Sequence, residues 1–152
     1  MNALAVYLCR DDESTTEALK LFDRALTVPV SQTYSNKAML NTNAGVCAKR
    51  RDLERAENYL RAALATDPNF ADALIQLADV AYQRNNYLQS RAFLERYMTV
   101  AAVSPAVLWL GRRVESAMGN EAGAEQYGQR LLEDFPESVE TRLLLEQKRD
   151  AG

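Results

Sequence analysis

The sequence repeats itself: four segments carry a small residue at nearly the same interval, and the first interval is four residues longer than the other two. Two further positions, four and then three residues later, recur in the same register in every segment. A sustained period of about 34 residues is typical of chains built from stacked helix pairs. The recurring positions are Ala18, Ala56, Ser90 and Ala124, then Phe22, Leu60, Leu94 and Gly128, and then Ala25, Ala63, Tyr97 and Leu131.

This pattern predicts two antiparallel helices in each segment. The small residue lets the second helix lie close against the first, and the larger residues fill the gap to the neighbouring pair. One pair cannot bury its own apolar face, so we expect the pairs to stack. The predicted pairs are 2–10 with 14–27, 34–49 with 53–66, 70–84 with 87–101, and 105–118 with 120–134, in repeat units of about 2–33, 34–68, 69–103 and 104–136 of one domain covering 1–152.

Residues that begin and end helices occur at these limits. Ser14–Glu17 has the pattern of a capping box, and Asp52 stands where an N-cap of the following helix belongs. Ser104 followed by Pro105 combines a cap with a proline in the first helical turn. Gly119 stands where the end of a helix favours a positive φ.

A last segment after the fourth pair, about 137–149, is also predicted to be helical. Val139 and Leu143 fall on one face of it, and we expect that face to cover the last pair, because terminal repeats need a polar outer cover. The composition, rich in alanine and leucine with only four prolines and six glycines, favours helix throughout. The sequence therefore predicts an all-α solenoid of about four antiparallel helix pairs with a C-terminal capping helix.

The third unit resembles the tetratricopeptide repeat (TPR) family. Leu74–Tyr82, followed by Asn85–Tyr87 and Ser90, is similar to the family's W-x-x-L-G-x-x-Y…G-x-Y-x-x-A frame. The fourth unit keeps Leu110-Gly111 but needs a one-residue insertion in its turn, and the second has Asn43-Ala44 where leucine-glycine is usual. The resemblance implies a TPR-type solenoid that binds other proteins, although the fold alone does not specify which.

Several classes of function are excluded by composition. The 18 basic and 21 acidic residues give a net charge of −3, which offers no electrostatic footprint for nucleic acid. The sequence contains no histidine, so it has no Ser–His or Cys–His nucleophile, no histidine general base and no typical zinc site. The acid-rich stretches 10–13 and 133–134 lie at predicted helix ends, where caps and solvent account for them. We therefore expect neither catalysis nor a metal or cofactor.

A second resemblance rests on spaced residues along most of the chain. The matching stretches are Thr27–Tyr34, Asn41–Gly45, Ala71–Asp79 with Tyr87, Ser90–Ala92 with Tyr97, Leu108–Arg113, and Tyr127-Gly128 with Phe135-Pro136. They resemble the type IV pilus biogenesis lipoproteins known as PilF or PilW, which are pilotins of the secretin. The resemblance implies an outer-membrane lipoprotein that faces the periplasm of a Gram-negative bacterium, with secretin subunits as partners.

This resemblance also implies that part of the protein lies outside the sequence. The apolar start Ala3–Leu8 is typical of the middle of a helix, not of a signal peptide, and no apolar run reaches the ~20 residues of a membrane span. Cys9 and Cys47 lie inside predicted helices, so neither is the family's lipidated cysteine. We expect a soluble fragment whose membrane attachment, signal peptide and amino-terminal TPR units all precede it.

Two other classes of function stay open beside this one. The first is a cytosolic TPR scaffold or chaperone adaptor with an unrelated client protein. Its basic groove residues could only be Lys49 and Arg112, which do not fall at the positions that chaperone adaptors use. The second is an enzyme, for which nothing in the sequence provides support.

The residues predicted to bind a partner are those of the first helices that face away from the second helices. For each residue alone, a solvated or half-buried helix position is the simpler interpretation. Together these residues are expected to form the inner wall of the stack, with a groove that suits an extended or helical peptide. The predicted wall consists of Asn41, Gly45, Ala48, Lys49, Ile75, Asp79, Tyr82, Gln83, Leu108, Arg112, Glu115 and Ser116.

Three further side chains have two interpretations each. Trp109, the single tryptophan, is expected to pack against the neighbouring helix, with an exposed anchor as the alternative. Cys9 and Cys47 occupy equivalent positions of consecutive units, so two buried thiols are expected. A bond between them is the alternative in an oxidising compartment, although equivalent positions of adjacent repeats usually lie farther apart than the ~4.4–6.8 Å between α-carbons that a disulfide tolerates.

Overall fold

The computed structural model describes Cys9 and residues 14–27 and 34–151, with the backbone alone at 34–36. All regular structure in these ranges is helical, as predicted. No helix among them is long and apolar enough to cross a membrane. The helices are α1 (Thr15–Thr27), α2 (Tyr34–Ala48), α3 (Leu53–Thr66), α4 (Ala71–Gln83), α5 (Tyr87–Val100), α6 (Pro105–Ala117), α7 (Glu121–Asp134) and α8 (Val139–Ala151).

The predicted limits of the seven helices between residues 14 and 134 agree with the observed ones to within one residue. Three local signals account for part of this agreement. Asp52 Oδ1 accepts the N–H of Arg55 at 3.0 Å, and Ser104 Oγ accepts the N–H of Val107 at 3.3 Å. Gly119 has a φ of 77° just after α6. The helix predicted for residues 2–10 lies outside the described residues, apart from Cys9.

The helices form two layers. The pairs α2–α3, α4–α5 and α6–α7 pack most extensively, and each second helix also contacts the first helix that follows it. The first helices α2, α4, α6 and α8 additionally contact one another, whereas neighbouring second helices make no contact of that extent in the described part of the chain. The first helices therefore form the inner layer, and a groove between them lies on the inner side of the stack.

The repeated small residues are buried at the contact between paired helices. Ala56 and Ser90 are fully buried and Ala124 nearly so, and the Ser90 hydroxyl donates a hydrogen bond to the carbonyl of Ala78 at 2.6 Å. One apolar cluster extends from α1 to α6, and a second, of Leu108, Leu131 and Leu144, joins α6, α7 and α8.

The first helices repeat with a different period from the second helices. The residue that faces the second helix of its own pair is Gly45, Ala78 or Gly111, so this period is one residue shorter than that of the small residues in the second helices. The predicted frame used the longer period between α2 and α4 and placed Ala44 at this position, so it was wrong by one residue in α2. One residue is about 100° around a helix, which is enough to move a side chain from an open wall into the packed interior.

A disulfide bond joins Cys9 to Cys47, with 5.4 Å between their α-carbons. The expectation of two free buried thiols was therefore wrong. Cys9 lies in a turn and not within a described helix, so the usual distance between equivalent helix positions of adjacent repeats does not apply to this pair. The bond attaches the amino-terminal end of the chain to the inner layer.

The last helix, α8, covers α6 and α7 with a different face from the predicted one. Thr141 and Leu144 are buried, whereas Val139 and Leu143 are 59% and 40% exposed. The Thr141 hydroxyl donates to the carbonyls of Leu131 and Phe135 at the end of α7, at 3.1 and 2.7 Å. This polar anchor sets the rotation of α8, and hydrophobic spacing alone could not reveal it.

Candidate protein-binding groove

A groove of about 400 Å³ opens on the inner layer. Its side chains come from the carboxyl end of α2, from α4, from α6 and from the first turn of α8, with the end of α5 and the start of α6 closing one side. Because these helices follow one another in the stack, the groove crosses them. The side chains used below are Lys49, Ile75, Gln76, Asp79, Trp109, Leu110, Arg113 and Glu140.

The charges at the α2 end of the groove neutralise each other. Lys49 pairs with Asp79 and donates a hydrogen bond to Gln76 Oε1 at 2.8 Å. Asp79 also accepts a hydrogen bond from Gln83 Nε2 at 2.9 Å. Both charged side chains are partly shielded from solvent, which strengthens their attraction relative to that of an exposed pair. This end therefore holds α2 and α4 together and presents little unpaired charge.

The middle of the groove is apolar. Ile75 on α4 and Trp109 and Leu110 on α6 line it, and the first two are half-buried. Trp109 also packs against the cluster of Leu108, Leu131 and Leu144, so it combines the packing role expected for it with a place on the groove wall. The Arg112 guanidinium also lies over the Trp109 ring, 5.5 Å from the centroid, which helps to hold the indole in place.

Arg113 supplies an exposed cation to the groove. Its guanidinium lies 4.5 Å from the centroid of the Tyr82 ring, which in turn packs against Tyr87 with 5.6 Å between centroids. No described acidic side chain forms an ion pair with Arg113. A guanidinium stacked on an aromatic ring keeps its N–H edge available, so Arg113 can donate hydrogen bonds to an acceptor from outside the chain.

Ten of the twelve predicted wall residues, all except Ala48 and Ser116, are the binding candidates, and six of these ten lie in or beside the groove. Lys49, Ile75 and Asp79 line it directly. The other three reach its residues through contacts: Gln83 with Asp79, Tyr82 with Arg113, and Arg112 with Trp109.

The structure places the remaining four candidates elsewhere. Gly45 faces α3, where a Cβ would lie 2.6 Å from Leu60 Cγ, and Asn41 is buried with its side-chain amide donating to the Lys37 carbonyl at 3.3 Å. Both displacements follow from the one-residue shift of α2, which brings Val46, 42% exposed, to the position equivalent to Asp79. Leu108 is fully buried because α8 covers it.

Glu115, the fourth, belongs to a separate polar cluster between α5, α6 and α7. Its carboxylate accepts two hydrogen bonds from Arg91, at 2.7 and 2.6 Å, and one from Asn120 Nδ2 at 2.7 Å. The hydrogen bonds from Arg91, followed by the one from Asn120, outweigh burial and hold the pKa of Glu115 below its usual value. These three hydrogen bonds hold Glu115 at the contact between α5, α6 and the start of α7, away from the groove lining.

Sequence reasoning missed Arg113 and Glu140, and for Arg113 a signal existed. At the shorter period of the first helices, Arg113 is equivalent to Cys47 and Val80, both of which are buried. A charged residue at a position that is apolar in the two preceding first helices indicates that the layer opens to solvent there. Glu140 had no such signal, because its place depends on how α8 docks.

These features are those of a TPR-like solenoid fold: stacked helix pairs, small residues at the pair contacts and a groove on the layer of first helices. Residues 48–108 match the tetratricopeptide repeat family. A comparison with curated proteins finds no match.

Solved structures carry the comparison further. PilW, described as a widely conserved type IV pilus biogenesis factor, superposes with a TM-score of 0.86 and 29% identity over 95% of this chain and 65% of that one. PilF of Pseudomonas aeruginosa gives 0.75 and 19% over 96% and 64%, and MamA gives 0.69 and 15% over 78% and 63%. The chain thus spans slightly less than two thirds of the length of each, and the last two similarities show the shared fold alone.

Proposed function

We propose that this chain is the helical-repeat part of a pilotin-like factor of type IV pilus biogenesis. In this proposal it acts at the periplasmic face of the outer membrane, as part of a lipoprotein, and supports the assembly of secretin subunits. It acts by binding a segment of another protein in the inner groove, with no chemical reaction. The observation that carries the proposal is the similarity to PilW, at 29% identity over 95% of the chain.

The disulfide bond supports the proposed compartment. Structural disulfides form and persist in oxidising environments such as the bacterial periplasm and are rare in the cytosol of mesophiles. The bond between Cys9 and Cys47 closes a long loop and joins Cys9 to α2, as a structural disulfide does. It therefore favours the periplasmic proposal over a cytosolic scaffold or chaperone adaptor.

The experiment is deletion of the gene, followed by an immunoblot of secretin multimers in membranes and a count of surface pili. We expect both to be lost, and to return when the full-length gene is supplied in trans. Secretin subunits should also co-purify with the full-length protein from detergent extracts. Unchanged secretin multimers and normal piliation in the deletion strain would contradict the proposal.

A further inference from the structure

We propose that the groove recognises an extended segment of its partner in which an acidic side chain is flanked by apolar ones, with the carboxylate paired to Arg113. This inference rests on the proposed function, since it names the kind of segment that the binding groove takes. The observation behind it is the distribution of charge along the groove, from the Lys49–Asp79 pair to Arg113 and Glu140.

Lys49 and Asp79 contribute little to the choice of ligand. Each is the other's partner, and Gln76 and Gln83 satisfy further hydrogen-bonding capacity on the two groups. A ligand charge placed here would have to compete with a pair that is already formed and partly buried. The end of the groove next to α2 is therefore suited to a polar, uncharged part of the segment.

Arg113 has no acidic partner among the described residues. Its guanidinium carbon lies over the Tyr82 ring, 4.5 Å from the centroid, which restrains the position of the side chain. A planar guanidinium matches the geometry of a carboxylate with two parallel hydrogen bonds, and an orientation fixed in advance lowers the entropy lost on binding. The unpaired cation beside an apolar floor thus selects an acidic side chain.

Glu140 is the other unpaired charge in the groove, and its need for a ligand is smaller. It lies in the first turn of α8, where the N–H groups at the start of the helix already favour a negative charge. A basic ligand residue could approach it. The Tyr82 ring, however, contacts the face of the Arg113 guanidinium and supplies no acceptor for its N–H groups, which form no ion pair in the described part of the chain. This asymmetry favours an acidic segment over a basic one.

The shape of the groove favours an extended segment. The floor formed by Ile75, Trp109 and Leu110 crosses the two first helices α4 and α6, which contact each other far less than paired helices do, so their axes are separated by at least the ~8–10 Å of closely packed helices. An extended chain advances about 3.3 Å per residue, so about three residues or more span that distance. A volume of about 400 Å³ holds only a few side chains, which fits one acidic residue with apolar neighbours.

The test uses a pool of random nonapeptides blocked at both ends, captured by the immobilised chain and sequenced. We expect aspartate or glutamate next to apolar residues to be enriched. Selected peptides should change the emission of Trp109, the only tryptophan, and should bind about tenfold more weakly to Arg113→Glu, the loss expected for one charge-assisted pair. The same variant should instead enrich lysine and arginine.

Arg130→Glu is the matched control, because Arg130 is an exposed arginine of α7 that does not line the groove. It should keep the acidic preference. The inference would be overturned if the natural chain did not enrich acidic peptides, or if the Arg113→Glu variant still enriched them. Enrichment only in a second pool with free carboxyl ends would overturn it as well, since that would identify a terminal carboxylate as the ligand.

The failure of this inference differs from the failure of the proposed function. A deletion strain that loses secretin multimers, but recovers them fully with the Arg113→Glu protein, would leave the proposed function standing and reject the role of Arg113. A deletion strain with normal multimers would reject the proposed function, whatever peptides the groove selects.

Discussion

At the scale of single residues, the closeness of paired helices depends on positions where even a methyl group has no room. A Cβ at Gly45 would lie 2.6 Å from Leu60 Cγ and 3.2 Å from the Ala56 carbonyl oxygen. At Gly128, also buried in a helix, the nearest atoms to a Cβ would be the Leu144 methyl groups, at 3.4 and 3.5 Å, followed by Arg112 Nε at 3.8 Å. Close packing of the paired helices therefore requires glycine at Gly45, whereas the space at Gly128 admits a methyl group.

We predict opposite effects for the same substitution at these positions. Gly45→Ala should lower the free energy of unfolding by about 1–2 kcal/mol, because Leu60 is fully buried and must shift. Gly128→Ala should leave it unchanged or raise it by about 0.5 kcal/mol, because alanine favours helix and meets ordinary contacts. Urea unfolding followed by circular dichroism measures both. A neutral Gly45→Ala would show that Gly45 does not face α3.

A second residue-scale prediction concerns Glu115, whose carboxylate is 8% exposed beside Arg91. Glu115→Gln should lower the free energy of unfolding by about 1–2 kcal/mol at pH 7, since the charge-assisted bonds from Arg91 are weakened. The folded-state pKa of Glu115 lies below the unfolded value of about 4.3, so this stabilisation is complete above that pH and is lost as the pH falls through the folded pKa.

The difference between Glu115→Gln and the natural chain should therefore stay constant from about pH 5 to 8 and shrink below about pH 4. Glu125→Gln is the control, because Glu125 is 64% exposed in its pair with Lys148 and should change stability by less than about 0.5 kcal/mol. A difference for Glu115→Gln that persisted unchanged at pH 3 would mean that its ionised form is not what stabilises the fold.

At the scale of helices, the sequence predicts what is local and misses what depends on packing between helices. The ends of α3 and α6 were predictable because Asp52 and Ser104 act within three residues of themselves. The rotation of α2 about its axis was not predictable in this way, because it depends on the contact with α3. Such contacts give the first helices a shorter repeat period than the second helices. Arg113 and Glu140 share a groove only because α8 docks on α6.

The docking face of α8 gives a prediction at this scale. Leu144→Ala should lower the free energy of unfolding by about 2–4 kcal/mol, or release α8, because Leu144 is fully buried against Leu108 and Leu131. Leu143→Ala should change it by less than about 0.5 kcal/mol, since Leu143 is 40% exposed. Amide hydrogen exchange in α8 distinguishes release from global destabilisation. Equal effects of the two variants would argue for the face made by Val139 and Leu143.

At the scale of the whole molecule, stability comes from contacts between neighbours in the stack, so each end has a contact partner on one side only. The two described ends are secured differently. The carboxyl end is covered by α8 through Thr141 and Leu144, and the amino-terminal end is joined to α2 by a covalent bond. Loss of either attachment should therefore weaken one end first and leave the central pairs folded.

The disulfide tests this view of the stack. Its cysteines are 38 residues apart, and closing a loop of that size in the unfolded chain corresponds to about 3–4 kcal/mol in the chain-entropy account. We expect reduction, or Cys47→Ser, to lower the free energy of unfolding by up to that amount and to raise amide exchange in α1 and α2 while α4 to α7 stay protected.

Denaturing mass spectrometry with and without reductant should show the two-hydrogen difference of an intact bond. The matched variant is Cys9→Ser, which should reproduce Cys47→Ser, because each removes the same bond. Uniformly faster exchange through α7 would instead show that the stack unfolds as a single unit and that the bond stabilises all of it.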